Sequence, residues 1–222
     1  HINECDSTNA YLQRLVMEDE PQEGTVISTS FQTKGRGQLT NVWEAEAGQN
    51  ILCSILLRPT SLPIKSQFLI SQAISVAIVD VLNSYTDGFS IKWPNDIYFG
   101  DKKLVGILIE NSLAGQYVGY SIAGIGLNIN QTEWRSNAPN PISMKQITGQ
   151  EYKAEELMNE WVHAMVNWEA QSTEAIQKTY LLHLYRREGW HTYVEREVSV
   201  APTAIAQSGI EGAFLAAFAG IT

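Results

Sequence analysis

Two cysteines in 222 residues, Cys5 and Cys53, leave no material for a disulfide framework. Neither has a partner at zinc-ligand spacing, so a structural zinc site is excluded as well. Both lie on apolar-flanked segments, and the reading is two reduced core thiols in a cytoplasmic protein. Positive charge is also short: 15 Lys and Arg against 24 Asp and Glu give a formal net charge of −9. That balance argues against direct nucleic-acid binding, which rests on neutralising phosphates with Lys and Arg. It does not exclude a small anionic ligand, because local charge decides that. No signal peptide and no run of about 18 apolar residues is visible, so no membrane association is expected. No helix-turn-helix pattern precedes residue 6, and no operator DNA binding is expected. Repeats and low-complexity tracts are missing too. What is present is a composition 44% apolar and 18% charged, enough to bury a sizeable core and too rich in apolar residues for disorder.

The most informative stretch is residues 89–111. Phe89 to Lys92 is a short apolar approach, and Pro94 interrupts any ladder because it has no N–H. Asn95 and Asp96 suit a turn, and Gly100-Asp101 closes a hairpin into the alternating run Lys103 to Glu110. The expectation is two strands around a tight turn that deliver Lys92, Asn95, Asp96 and Lys103 to one end of a hydrophobic sheet. Two cations and a carboxylate there require charged partners, which an anionic ligand would supply, with or without a divalent metal.

Upstream, Ser7 or Thr8 is placed to cap a helix over Ala10 to Glu18, where a helix start also suits a polar ligand. Thr25 to Phe31 reads as a strand. It leads into Gln32 and Gly35-Arg36-Gly37-Gln38, with Trp43 a few residues on. Two glycines allow close approach of backbone to a ligand, and the arginine between them offers a fork for carboxylate or phosphate. Ile51 to Leu57 is a strand, and Ser66 to Tyr85 a long helix with a broad apolar face. Gln116 to Asn130 is a strand containing Gly124-Ile125-Gly126-Leu127-Asn128. No helix pattern follows it and a third glycine is missing, so a dinucleotide fingerprint is rejected in favour of bare backbone under a flat ligand. Residues 131–150 read as a long loop ending in a short turn. Ala154 to Ala170 and Thr173 to Arg187 read as helices. His163, His183 and His191 receive no role.

Lys92-Trp93-Pro94-Asn95-Asp96 followed by Lys103-Leu104-Val105-Gly106-Ile107-Leu108 resembles the central motif of biotin protein ligases of the type without a DNA-binding domain. Ser7-Thr8-Asn9, the Gln32 and Gly-Arg-Gly loop, and the Gly124, Gly126, Asn128 strand match further motifs of that family. The resemblance implies an α+β fold: a class II aminoacyl-tRNA synthetase-like mixed sheet flanked by helices, plus a small C-terminal SH3-like β-barrel. It places a catalytic domain at 1–187 and the barrel at 188–222, although the Ala- and Gly-rich stretch from Thr203 fits a barrel poorly. It implies ATP-dependent formation of biotinyl-5′-AMP and transfer of biotin to a lysine of a biotin carboxyl-carrier protein, with ATP and Mg²⁺ as cofactors.

By the same resemblance Lys103, Arg36 and Asp96 are the catalytic residues. Biotin falls to Ser7, Thr8, Asn9, Gln32, Gly35, Arg36, Gly37, Gln38, Lys103, Gly106, Gly124 and Gly126. ATP falls to Trp43, Lys92, Asn95 and Asn128, and Asp96 is the metal ligand or an orienting group. The match departs after Gly37, where Gln38, Leu39, Thr40 and Asn41 replace the basic residues and further glycine with which the family often continues; fewer cations weaken the grip on pyrophosphate. An exposed sheet edge leaves room for a homodimer. Two other readings share parts of the pattern: a lipoate or octanoate ligase or transferase of the same architecture, and a non-catalytic biotin-binding module.

Overall fold

A computed structural model describes residues 1–38, 41–136 and 138–189. The chain divides into two compact units, His1–Tyr185 and Arg186–Thr222. The SH3-like barrel expected at 188–222 lies, but for two residues, outside the described residues.

The first unit is built on a seven-stranded mixed sheet in the order β1-β2-β3-β7-β6-β5-β4. The strands are β1 Ile2–Cys5, β2 Val26–Gln32, β3 Asn50–Leu57, β4 Phe89–Lys92, β5 Asp96–Phe99, β6 Lys102–Ala114 and β7 Tyr117–Asn128. Only β1 and β2 pair in parallel; every other neighbour is antiparallel. The helices are α1 Thr8–Asp19, α2 Phe68–Asn83, α3 Met144–Thr148, α4 Ala154–Glu169 and α5 Thr173–Leu182.

The two faces of the sheet differ because side chains alternate along a strand. On one face Ile51, Cys53, Ile55, Ile107, Ile125 and Leu127 join Ile74, Val79 and Leu82 of α2 and Leu157, Trp161 and Met165 of α4 in the main core. Burial there pushes the Cys53 thiol up to about 12, and Cys5 and Cys53 are both free thiols. The other face carries a small cluster in which Leu12 of α1 packs on Leu56 and Ile122. Beside that cluster the same face presents Gly106, Gly124, Gly126, Ser54 and Glu110, and it holds the site.

Several expectations need correction. The central stretch forms three strands, since Ile97, Tyr98 and Phe99 make a strand of their own between the Trp93-Pro94-Asn95 and Gly100-Asp101 turns. The Trp93-Pro94 peptide is cis. Ser7 stands at the N-cap position of α1, but its side chain makes no capping bond. α5 stops at Leu182, short of Arg187. β1 has no counterpart among the expected strands, and a helix, α3, stands where a short turn is expected, held by a reciprocal Ser143–Gln146 capping box. Ile64–Asn83 is, by length and composition alone, long and apolar enough to cross a membrane, with a mean hydropathy of 1.3. Half of that window is buried, and α2 supplies the helical side of the core.

Candidate active site

Strand register places the glycines. Gly106 of β6 pairs with Gly126 of β7, which pairs with Leu52 of β3; two residues along, Leu108 pairs with Gly124, which pairs with Ser54. All six share the face opposite the main core. The three glycines therefore form a strip of bare backbone across two adjacent strands, and the strip is covered. A Cβ on Gly106 would stand 2.5 Å from Trp43 Cζ3, one on Gly126 would collide with Trp43 Cε2 and Nε1, and one on Gly124 would collide with Asn9 Oδ1. Close approach of an indole and an amide is the physical reason for glycine at these positions.

Trp43 reaches the strip because its loop doubles back. Arg36 bridges Val42 in an antiparallel arrangement. The Gly37 N–H donates to Asn41 O at 2.8 Å, and the Trp43 N–H to Gly35 O at 3.1 Å. Gly35 is needed at this turn, since a Cβ there would sit 2.5 Å from the Trp43 carbonyl oxygen. The Glu44 carboxylate then accepts the backbone N–H groups of Arg135 and Ser136, each at 2.7 Å. Desolvation pushes the Glu44 carboxyl up, but these amide bonds outweigh it and hold the group below its ordinary value. The indole Nε1 of Trp43 is buried without a hydrogen-bond partner. Resemblance assigned Trp43 to the nucleotide side; here it lies on Gly106 and Gly126, assigned to biotin.

One end of the strip is a polar wall. Ser7, Thr8 and Asn9, at the start of α1, are each no more than 5% exposed. The Arg14 guanidinium grips Asp6 through two 2.9 Å bonds, and Asp6 accepts the Ser7 N–H at 2.9 Å, which fixes the entry to the helix. Arg14 beside it holds the Asp6 carboxyl well below the usual carboxylate range. Gln32 Oε1 accepts the Thr8 N–H at 2.8 Å. Ser54 Oγ lies 2.7 Å from Thr8 Oγ1 and 2.6 Å from Asn9 Oδ1. Asn9 Nδ2 donates to Leu108 O at 3.2 Å and to Glu110 Oε2 at 2.7 Å, and the same Glu110 oxygen accepts from Arg36 at 3.0 Å.

The other end is charged. Lys103 Nζ lies 2.6 Å from Asp96 Oδ2 and 5.6 Å from the centre of a Trp43 ring. Its backbone is held by the 140–142 segment, the N–H donating to Asn140 O at 2.8 Å and the carbonyl accepting from Ile142 N at 3.0 Å. Lys92 Nζ is 3.1 Å from Tyr98 Oη. The expected uncompensated cations are thus partnered within the chain, Lys103 by a carboxylate and Lys92 by a phenol. Asn128 Nδ2 donates to Ile142 O at 3.0 Å, while Asn128 Oδ1 and Asn95 Oδ1 are buried without a partner. Gln38 is exposed beside Gly37. Among the described residues no group of three His, Cys, Asp or Glu could hold a metal ion.

The structure therefore brings Thr8, Asn9, Gln32, Arg36 and Gly124 together at one end, and Trp43, Asp96, Lys103, Gly106 and Gly126 at the other. Lys92 and Asn95 sit on the β4–β5 side of Asp96. Sequence reasoning missed Ser54 and Glu110. Both were accessible from the period of two, Ser54 opposite Gly124 and Glu110 four residues beyond Gly106.

The Biotin/lipoate A/B protein ligase family matches this chain over residues 2–128. The chain belongs to this family. It is 37% identical over 129 residues to the bifunctional ligase/repressor BirA of Bacillus spizizenii, a match covering 56% of this chain and 38% of that protein. It is 31% identical over 134 residues to the biotin–[acetyl-CoA-carboxylase] ligase of Mycobacterium tuberculosis, covering 59% and 48%. The chain thus spans less than half the length of these curated relatives. The biotin protein ligase of Aquifex aeolicus, solved in complex with biotin and ATP, superposes with a TM-score of 0.71 at 28% identity, covering 82% of this chain and 76% of that one. The expected mixed sheet with flanking helices is the biotin ligase catalytic fold, and the family resemblance read from the motifs holds.

Proposed function

We propose that this family member is a biotin protein ligase that activates biotin with ATP and passes it to a lysine of a carboxylase carrier domain. In the first step a biotin carboxylate oxygen bonds to the α-phosphorus of ATP, the α–β bridging bond breaks, and pyrophosphate leaves. In the second the lysine amine attacks the acyl carbon of the adenylate, AMP leaves, and the amine loses a proton. Both substrates of the first step are anions, so preplaced positive charge is the main requirement.

The observation that carries this reading is the placement of Lys103 Nζ beside Asp96 and within cation–π reach of Trp43, at the charged end of the glycine strip. There it serves the biotin carboxylate and the α-phosphate together. Arg36 pairs with Glu110 at the polar end, away from Lys103, so the adenylate-phosphate role that the resemblance gives it requires it to leave that carboxylate; Lys92, Asn95 and Asn128 serve the nucleotide. Ser7, Thr8, Asn9 and Gln32 offer the donors and acceptors that a uncharged ureido ring needs. A divalent ion fits only if the nucleotide brings it: Asp96 is a single carboxylate, and Mg²⁺ commonly takes one or two carboxylates with substrate phosphates and water. When bound it would neutralise phosphate charge, with Asp96 as the residue that holds it.

The same family includes lipoate ligases. The polar wall of buried Thr8 and Asn9 with half-buried Gln32 favours a ring with hydrogen-bonding edges over an alkyl chain. ATP–pyrophosphate exchange separates the readings: biotin stimulates exchange and lipoate does not. Exchange with lipoate alone, or with neither acid, overturns the proposal.

A further inference from the structure

Glu110 has no place in the ligation chemistry above, yet within the polar end of the site it joins the start of α1 to the Arg36 loop. One carboxylate oxygen, Oε2, accepts from Asn9 Nδ2 at 2.7 Å and from Arg36 at 3.0 Å. Asn9 is 2% exposed, and both of its amide donors are engaged, which leaves its oxygen as the group open to a further partner. Its amide protons go to Leu108 O and Glu110, and its oxygen faces the Ser54 hydroxyl. An amide with both ends engaged has one orientation, and Glu110 is the anionic partner that selects it, because only the NH₂ end can face a carboxylate. Arg36, in contrast, sits on a loop with its side chain 44% exposed. Glu110 is its ion-pair partner, carried by the rigid strand β6.

We propose that Glu110 is a positioning residue that fixes the Asn9 amide and the Arg36 guanidinium in one relation. The polar wall and the loop arginine are then set together, as a single unit running Ser54, Asn9, Glu110, Arg36. This deepens the biotin ligase reading and rests on it for the identity of the ligand. The link itself is a property of the free protein. Since one oxygen serves both partners, removing its charge releases both. An amide at residue 110 keeps the volume, but its neutral carbonyl is a weaker acceptor for both donors than a carboxylate oxygen and its NH₂ end is repelled by the Arg36 cation.

The test is a double-mutant cycle with two readouts on the full chain. In the free protein, the side-chain NH₂ resonances of Asn9 are followed by ¹H–¹⁵N NMR. Arg36→Ala shifts them in the Glu110 background and leaves them unmoved in Glu110→Gln. Biotin affinity is measured by calorimetry: Arg36→Ala and Glu110→Gln each weaken binding about tenfold, and the double variant is no weaker than either single one. Glu110→Asp, which retains the charge, recovers part of the loss. Biotin effects that multiply, or Asn9 signals indifferent to residue 110, overturn the proposal. If the wild-type chain binds no biotin, the ligase reading fails, and the Asn9 resonances alone decide the role of Glu110.

Discussion

Substituting Gly126→Ala tests the covered strip most directly. The added methyl would overlap Trp43 Cε2 and Nε1, so either the indole shifts by more than an ångström or it leaves. The loop is pinned by the Gly35 and Gly37 backbone bonds and by Glu44 on the Arg135 and Ser136 amides, which resists a small shift. Overpacking against a held side chain costs about 1–3 kcal/mol. Expulsion costs a similar amount, since losing roughly 100 Å² of aromatic burial at about 25 cal/mol per Å² is about 2.5 kcal/mol. With an m-value of about 3 kcal/mol/M, a loss of about 2 kcal/mol lowers the urea midpoint by roughly 0.7 M. Trp43 is one of six tryptophans, so its emission is isolated by subtracting the spectrum of Trp43→Phe. The expected result is a midpoint shift of that size, a red-shifted Trp43 component and weaker biotin binding. A control at Gly115, which has a φ of 63° and open space beyond it, should cost stability through backbone strain alone and leave Trp43 unmoved. An unchanged midpoint together with unchanged Trp43 emission in Gly126→Ala would refute the packing described for the site.

Two further predictions concern charge. Lys103→Ala should abolish biotin-dependent pyrophosphate exchange while circular dichroism stays native; its ion pair with Asp96 is partly exposed and contributes at most about 1 kcal/mol. Near-normal exchange would remove Lys103 from its role. Glu44 has a folded-state pKa below its unfolded value, so its contribution is present above the ordinary carboxylate range and is lost as pH falls through the folded value. Acidification should therefore release the Trp43 loop, read as backbone amide exchange at 41–46, and Glu44→Gln should remove that pH dependence; equal exchange in the two proteins across pH 3–6 would reject the tether.

Legibility in the sequence followed how local each determinant is. The strands β2, β3 and β7 and the helices α2 and α4 were readable because runs such as Ile51 to Leu57, or the apolar face from Phe68 to Leu82, carry their period within one window. β1 was not, since Ile2-Asn3-Glu4-Cys5 has no period and becomes a strand only by parallel pairing with Thr29, Phe31 and Gln32. The residue types of the site were legible as motifs, but their partners were not. Lys103 meets Asp96 across β5 and β6, where an irregularity between Ile97 and Tyr98 shifts the register. Trp43 lies where its local turn and the bonds from Glu44 to the distant Arg135 and Ser136 amides put it, and no spacing in the sequence encodes those bonds.

The middle strands do two jobs with one alternation. Along β6 and β7 the residues Gly106, Glu110, Gly124 and Gly126 face the site, and those between, Ile107, Ile109, Ile125 and Leu127, are branched toward the core. A slip of a single position would present isoleucine where the indole now rests and sink glycine into the hydrophobic layer. Folding correctly and shaping the pocket are thus one event for this protein: any chain that has misaligned these two strands has lost its core and its chemistry together.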